Sequence, residues 1–230
     1  VHASLDAGVR YFDTARLYGN GTGEGVLGNI LPAQRDEIIL TSKVGIIPWS
    51  MRTKEKVKRK AAEAAARLVP QAKKIVDALP PVSELPHAFS VNDMKKSLER
   101  SLKALRTDYL DILLLHEPTA EEATRPEVMA IHDQVVAEGK VRSYGFAGTF
   151  EEAVKITTNE PRLCAVAQFP TDALNKNIAT YKPAREDQLI ITHSVIKHVL
   201  SAMTQYFGVH SNAAEVWRSE TGYPADDTSA

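Results

Sequence analysis

Short runs of β-branched and aliphatic residues alternate along this chain with stretches of helical periodicity, and that alternation limits its fold more than any other feature. Glu37–Lys43, EIILTSK, and Tyr109–Leu115, YLDILLL, are near-continuously apolar. Strands covered on both faces read this way, whereas a strand with one wet face would alternate. Between such runs, Asn92–Arg106 sets Met94, Leu98, Leu102 and Leu105 at spacings of three and four, the period of a buried helix face. Pro126–Glu138 carries proline at its first turn and Gly139 just past its end.

Taken in order, the sequence predicts a helix end over Val1–Ala7 closed by Gly8. Strands are expected over Val9–Asp13, Glu37–Lys43, Tyr109–Leu115, Val141–Phe146, Leu163–Phe169 and Leu189–Thr192. Helices are expected over Glu24–Leu31, Asn92–Arg106, Pro126–Glu138, Phe150–Thr158 and Val195–Phe207, with a further piece over Ser211–Arg218. Repeated strand–helix units build a parallel sheet, closed into a barrel or doubly wound. The connection from Gly45 to Ser90 is long, and its middle, Lys54–Leu79, reads as an inserted helix or helical hairpin rich in Lys and Arg. We expect one α/β domain over residues 1–230 with a basic helical insertion at about 46–90. No aromatic residues interleave with its charges, so it reads as a solvated face and not a base-stacking surface.

Composition excludes several classes. A net charge of −1 over 230 residues supplies no global field for nucleic acid or anionic membrane. No apolar run approaches the roughly 18 residues of a membrane span. The single cysteine, Cys164, forms no internal disulfide and fits a reducing, cytoplasmic setting; it reads as a small buried residue of the fifth strand. Gly23-Glu24-Gly25-Val26-Leu27-Gly28 matches G-x-G-x-x-G, yet it does not turn directly out of a strand, and Gly45–Trp49 offers no carboxylate. A dinucleotide fold requires both, so this segment is read as plain helix entry.

Three predicted strands end in a chemically capable residue: Asp13, Lys43 and His116. In a parallel barrel all strand C-termini share one face, so these side chains meet regardless of their distance in sequence. Tyr18 joins them from the Gly-rich turn after the first strand. Taken singly, Asp13 could cap a turn, Lys43 could be a loop cation, His116 a satisfied histidine and Tyr18 a packing residue. Jointly they are harder to dismiss, because an amine at the end of EIILTSK needs a carboxylate partner.

F-D-T-A…Y-G at 12–19, T-S-K-V-G at 41–45 and L-L-L-H-E-P at 113–118 resemble, in order, the three catalytic segments of the aldo-keto reductases. Arg106–Asp111, RTDYLD, resembles the approach to the histidine strand, and the similarity runs from Val1 to about Ser194. The resemblance implies a (β/α)8 TIM barrel, NADPH as cofactor without a dinucleotide-binding domain, and Asp13, Tyr18, Lys43 and His116 as the catalytic tetrad. It implies that Gln168 contacts the nicotinamide carboxamide, that Gly148 and Thr149 stand where the family carries a Ser-Asn pair, and that His193 replaces a stacking tyrosine beside a matching Ser194. No metal is implied. The first and last strands and the C-terminal phosphate-binding segment are not visible, and the chain opens on Val1, so terminal segments of a longer protein are expected.

The chemistry accounts for these residue types. A carbonyl that accepts hydride develops negative charge on oxygen and needs a proton, and a phenol is a poor acid at neutral pH. A neighbouring ammonium favours the phenolate, and a carboxylate keeps that ammonium charged. Tyr18 is thus expected to donate the proton, tuned by Lys43, which Asp13 anchors, while His116 orients the carbonyl oxygen. The expected function is reduction of a small aldehyde, ketone or sugar. Run backwards, the same site is a sugar or alcohol dehydrogenase. A non-catalytic barrel serving as a regulatory or binding subunit is the alternative of a different class.

Overall fold

A computed structural model describes residues 1–47 and 87–221; the expected insertion, apart from its two ends, lies outside the described residues. The elements run α1 (His2–Asp6), β1 (Tyr11–Asp13), α2 (Gly23–Gly28), β2 (Ile39–Val44), α3 (Val91–Leu105) and β3 (Leu110–His116). They continue as α4 (Ala120–Ala123), α5 (Pro126–Ala137), β4 (Val141–Ala147), α6 (Phe150–Asn159), β5 (Val166–Pro170), α7 (Asn177–Thr180), β6 (Leu189–His193), α8 (Lys197–Val209) and α9 (Ser211–Thr221).

The six strands form one sheet whose spatial order is their chain order, and the registered pairs β1–β2, β2–β3, β3–β4 and β4–β5 are all parallel. A doubly wound sheet reverses its strand order at a switch point, where ligands bind. Here the order never reverses, which is the topology of a (β/α)8 barrel. Two compact units are present: Val1–Phe169 with Lys182–Ile191, and Pro170–Tyr181 with the segment from Thr192 onward. The sheet and the tetrad belong to the first.

Every residue of β3 is buried, as a strand covered on both faces requires. Ile112 and Leu114 meet Ala147 of β4 and Val166 of β5 in an inner cluster, against which Tyr11 and Ile191 also pack. Alternation sends Leu113 and Leu115 to the other face, where the helices lie. The α3 stripe Met94, Leu98, Leu102 and Leu105 is buried as its spacing predicts, each side chain contributing about 2 kcal/mol of burial. The α3 helix starts where Ser90 Oγ accepts the Asp93 N–H (3.2 Å) and stops at Arg106, left-handed at φ 55°. At the N-terminal end of the strands, Asp111 accepts from Leu40 N (2.9 Å), Arg35 Nη2 (2.8 Å) and Arg142 Nη1 (2.8 Å), and both guanidiniums lie over the Tyr109 ring. This clamp explains the charged start of an otherwise apolar strand.

Two glycines are demanded by close approach. A Cβ on Gly145 would lie 1.8 Å from the Val166 carbonyl oxygen, and one on Gly28 would lie 2.0 Å from that of Ala104. The G-x-G-x-x-G segment is therefore helix α2, and its last glycine seats that helix on α3. Strand starts differ from expectation. β1 begins at Tyr11, and residues 31–37 and 161–163 form 3-10 turns that delay β2 and β5. Cys164 is buried, but it closes the second of those turns, its N–H donating to Pro161 O (3.1 Å), and does not lie in β5.

His132 on α5 is fully buried, stacked 4.4 Å from the Tyr144 ring, with neither ring nitrogen hydrogen-bonded. Burial pushes its pKa down to about 4, against a weak opposing pull from Asp133. The unfolded imidazole protonates near pH 6.5, so between there and about 4 the unfolded state binds the extra proton and stability falls as pH drops. His132→Leu is expected to remove this acid sensitivity, about 2 kcal/mol between pH 7 and pH 5, as read by urea unfolding at those two pH values.

Candidate active site

Asp13 ends β1, Lys43 lies one residue from the end of β2, His116 ends β3 and Gln168 lies in β5, all toward the C-terminal mouth of a parallel sheet. Lys43 is 1% exposed. Its Nζ donates to Asp13 Oδ1, to Thr14 O (3.2 Å) and to the Tyr18 hydroxyl (3.2 Å). An ammonium has three donors, and each has found an acceptor. The second oxygen of Asp13 accepts from Gln168 Nε2 at 2.7 Å, so the carboxylate is held from two strands.

Tyr18 stands in the 3-10 turn Tyr18–Gly21 and is 42% exposed, its hydroxyl at Lys43 and its ring open to the mouth. The buried His116 ring meets it edge-on, with centroids 5.8 Å apart at 87°. The structure thus brings together all four expected tetrad residues. Gly45, left-handed at φ 116°, lies two residues after Lys43 and packs under the Phe89 ring, where a Cβ would lie 2.1 Å from a ring carbon.

Registers His116↔Ala147 and Ala147↔Gln168 place His116 and Gln168 at one level, two strand spacings apart, or roughly 10 Å. Between them, Ala147 offers only a methyl group. Gln168 is 3% exposed, and with its nitrogen committed to Asp13 its carboxamide oxygen is the acceptor it can offer. Gly148 is buried at the end of β4, and Thr149 caps α6, its hydroxyl accepting the Glu152 N–H (3.3 Å). Gln168 Oε1 can thus accept from a carboxamide N–H. His193 and Ser194 belong to the second unit, where His193 Nδ1 lies 3.0 Å from Ser194 Oγ and Ser194 is left-handed at φ 58°. Among the described residues no group of His, Cys, Asp and Glu is arranged to hold a metal ion.

Sequence reasoning missed two features. Glu117 follows His116 with φ 52°, and burial pushes its carboxyl above the ordinary range against the opposing charges of His87 and Lys43. Glu24, 1% exposed, accepts from Arg16 Nη1 (2.7 Å) and from Ser42 Oγ (2.7 Å). The available signal was a pair of opposite charges flanking the Gly-rich turn, hidden because Glu24 looked like any acidic residue in a helix's first turn. Beneath the tetrad, Tyr11 is raised to about 12, chiefly by burial. Nearby, His87 Nδ1 lies 2.8 Å from Glu122; burial opposes ionisation of that carboxyl, but the Thr119 N–H, His87 and the Thr119 hydroxyl outweigh it and hold it below the usual range.

A profile of the aldo/keto reductase family matches residues 1–186, and the chain belongs to that family. It is 28% identical over 182 residues to the 6-dehydroglucose reductase of Novosphingobium aromaticivorans, covering 71% of this chain and 48% of that protein. It is 26% identical over 166 residues to the D-threo-aldose 1-dehydrogenase of a Pseudomonas species, covering 71% and 47%. Among solved structures, a Pseudomonas aeruginosa protein assigned to the aldo-keto reductases matches with a TM-score of 0.58 and 21% identity, over 83% of this chain and 60% of that one. That likeness shows the fold. The chain spans about half the length of these two curated relatives.

Asp13→Ala would leave the Lys43 ammonium buried without its counter-ion. Because the Asp13 side chain is itself 24% exposed, the expected loss is toward the lower end for a broken buried pair, about 3 kcal/mol by urea unfolding.

Proposed function

We propose that this protein is an NADP(H)-dependent oxidoreductase that reduces the carbonyl of a small aldehyde, ketone or sugar. One observation carries the reading: a buried ammonium, Lys43, held by Asp13 and donating to the Tyr18 hydroxyl. An ammonium hydrogen-bonded to a phenol favours the phenolate and makes the phenol a better proton donor. The exposed ring puts that proton within reach of a substrate in the mouth. His116, beside Tyr18, orients the carbonyl oxygen and stabilises the charge developing on it. Tyr18 then releases its proton to that oxygen, and Lys43 stabilises the phenolate left behind.

When bound, NADPH supplies the hydride that reduces the carbonyl carbon. Gln168, Gly148 and Thr149 would hold its carboxamide; for His193 and Ser194 it is the family resemblance alone that supports a cofactor-binding role. Under this proposal residues 1–230 are a single barrel domain with an insertion at about 46–90, acting in the cytoplasm on small molecules. Among the described residues, no helix is long and apolar enough to cross a membrane.

The reverse direction uses the same groups, with the Tyr18 phenolate as base, and the curated relatives bear both reductase and dehydrogenase names. The assembled tetrad favours an enzyme over a non-catalytic subunit, which has no need for a buried ammonium beside an exposed phenol.

Tyr18→Phe is expected to lower turnover of aldehyde by about a hundredfold or more, while NADPH binding by fluorescence titration stays within about threefold. Undiminished turnover, or an absence of saturable NADPH binding by the full-length native protein, would sink the reading.

A further inference from the structure

Packing holds the Tyr18 phenol only in part, through the edge-on His116 ring. The residue is 42% exposed, and it opens a turn that contains Gly19 (φ 59°) and Gly21 (φ 92°), both in the conformationally permissive left-handed region. Between Asp13 and Tyr18, Thr14 is tied to β2 by its N–H donating to Thr41 O (3.0 Å) and by its carbonyl accepting from Lys43 Nζ (3.2 Å), whereas Tyr18 N donates within the loop, to Ala15 O (3.0 Å). Yet the distance from the Tyr18 hydroxyl to Lys43 decides how readily the proton leaves. Beyond Thr14 the loop needs a further tie to β2.

Glu24 has the contacts to do so. One carboxylate oxygen takes Arg16 Nη1, from the loop two residues before Tyr18; the other takes Ser42 Oγ, from β2 one residue before Lys43. Successive strand side chains point to opposite faces, so Ser42 is gripped from the face away from Lys43. Arg16, Glu24 and Ser42 are 4%, 1% and 0% exposed, so water does not screen the ties. The helix carrying Glu24 is seated twice more. A Cβ on Gly23 would lie 3.0 Å from the Tyr18 carbonyl oxygen, and Gly28 admits the α3 backbone.

We infer that Glu24 is a positioning residue which, through Arg16 and Ser42, sets the spacing between Tyr18 and Lys43 and thereby the ease of proton transfer. It touches neither substrate nor cofactor. The inference rests on the proposed oxidoreductase reading, and it goes beyond the tetrad: the proton donor is tuned from behind the sheet by a buried charge.

The test uses the full-length protein, an aldehyde and NADPH, with Glu24→Gln, Ser42→Ala and Tyr18→Phe. Both positioning variants are expected to lose about tenfold in kcat while KM stays within about twofold. The solvent deuterium isotope effect on kcat is expected to rise in both variants, because a misplaced phenol slows the proton transfer. Adding Ser42→Ala to Tyr18→Phe is expected to cost nothing further. A lower melting temperature with an unchanged solvent isotope effect and native kcat would make the network merely structural and overturn the inference. Should Glu24→Gln not fold, Ser42→Ala decides, since it removes a single hydroxyl. Native turnover by Tyr18→Phe would overturn the oxidoreductase reading, and the inference with it; a dead Tyr18→Phe beside an unaffected Ser42→Ala overturns the inference alone.

Discussion

The Lys43 ammonium, taken out of water and matched donor by donor, is the constraint on which the site depends. An isolated charge in so buried a position would lose its proton or unfold its surroundings. The lysine therefore dictates what lies around it: a carboxylate at the end of the next strand, a backbone carbonyl one residue beyond, and a phenol from the following turn. The carboxylate in turn needs a second donor and finds it on β5, four strands away in the sheet order. Closing that contact requires the sheet to bring β1 and β5 into reach of each other across its inner face. A barrel-type sheet meets this requirement where a flat one would not.

Register carries the same constraint outward. Lys43 pairs with Leu114, and Leu114 with Gly145, which pairs in turn with Val166. Two residues further along β3, His116 shares its level with Ala147 and Gln168. A shift of one residue anywhere in this ladder would turn the corresponding functional side chain toward the helices. The Asp111 clamp at the opposite strand ends and the closeness of Gly145 to the β5 backbone oppose such slips. Stability of the sheet and geometry of the site are thus one problem, with the clamp at one end and the chemistry at the other.

Much of this was legible in the sequence, for reasons that can be named. Strand ends in a parallel barrel converge by topology, so Asp13, Lys43 and His116 could be assigned to one mouth before any contact was known. The α3 stripe and its stop followed from periodicity, and the G-x-G-x-x-G segment was rightly read as a helix. What escaped were features set by the third dimension alone. The burial of Glu24 depends on which way a six-residue helix rolls, and the ring stacking that buries His132 depends on the fit of α5 to β4. Strand starts were placed early at Val9, Glu37 and Leu163 because apolar composition does not show where a 3-10 turn or a loop ends. Cys164 went with the last of these.

The buried ammonium is the group that makes the Tyr18 phenol a useful acid. The most direct measurement is aldehyde reduction by the full-length Lys43→Met protein, with NADPH binding followed in parallel by fluorescence. Turnover lower by about a hundredfold or more, with cofactor still bound, is the predicted result. Turnover at the native rate would contradict the account, since proton donation would then owe nothing to Lys43.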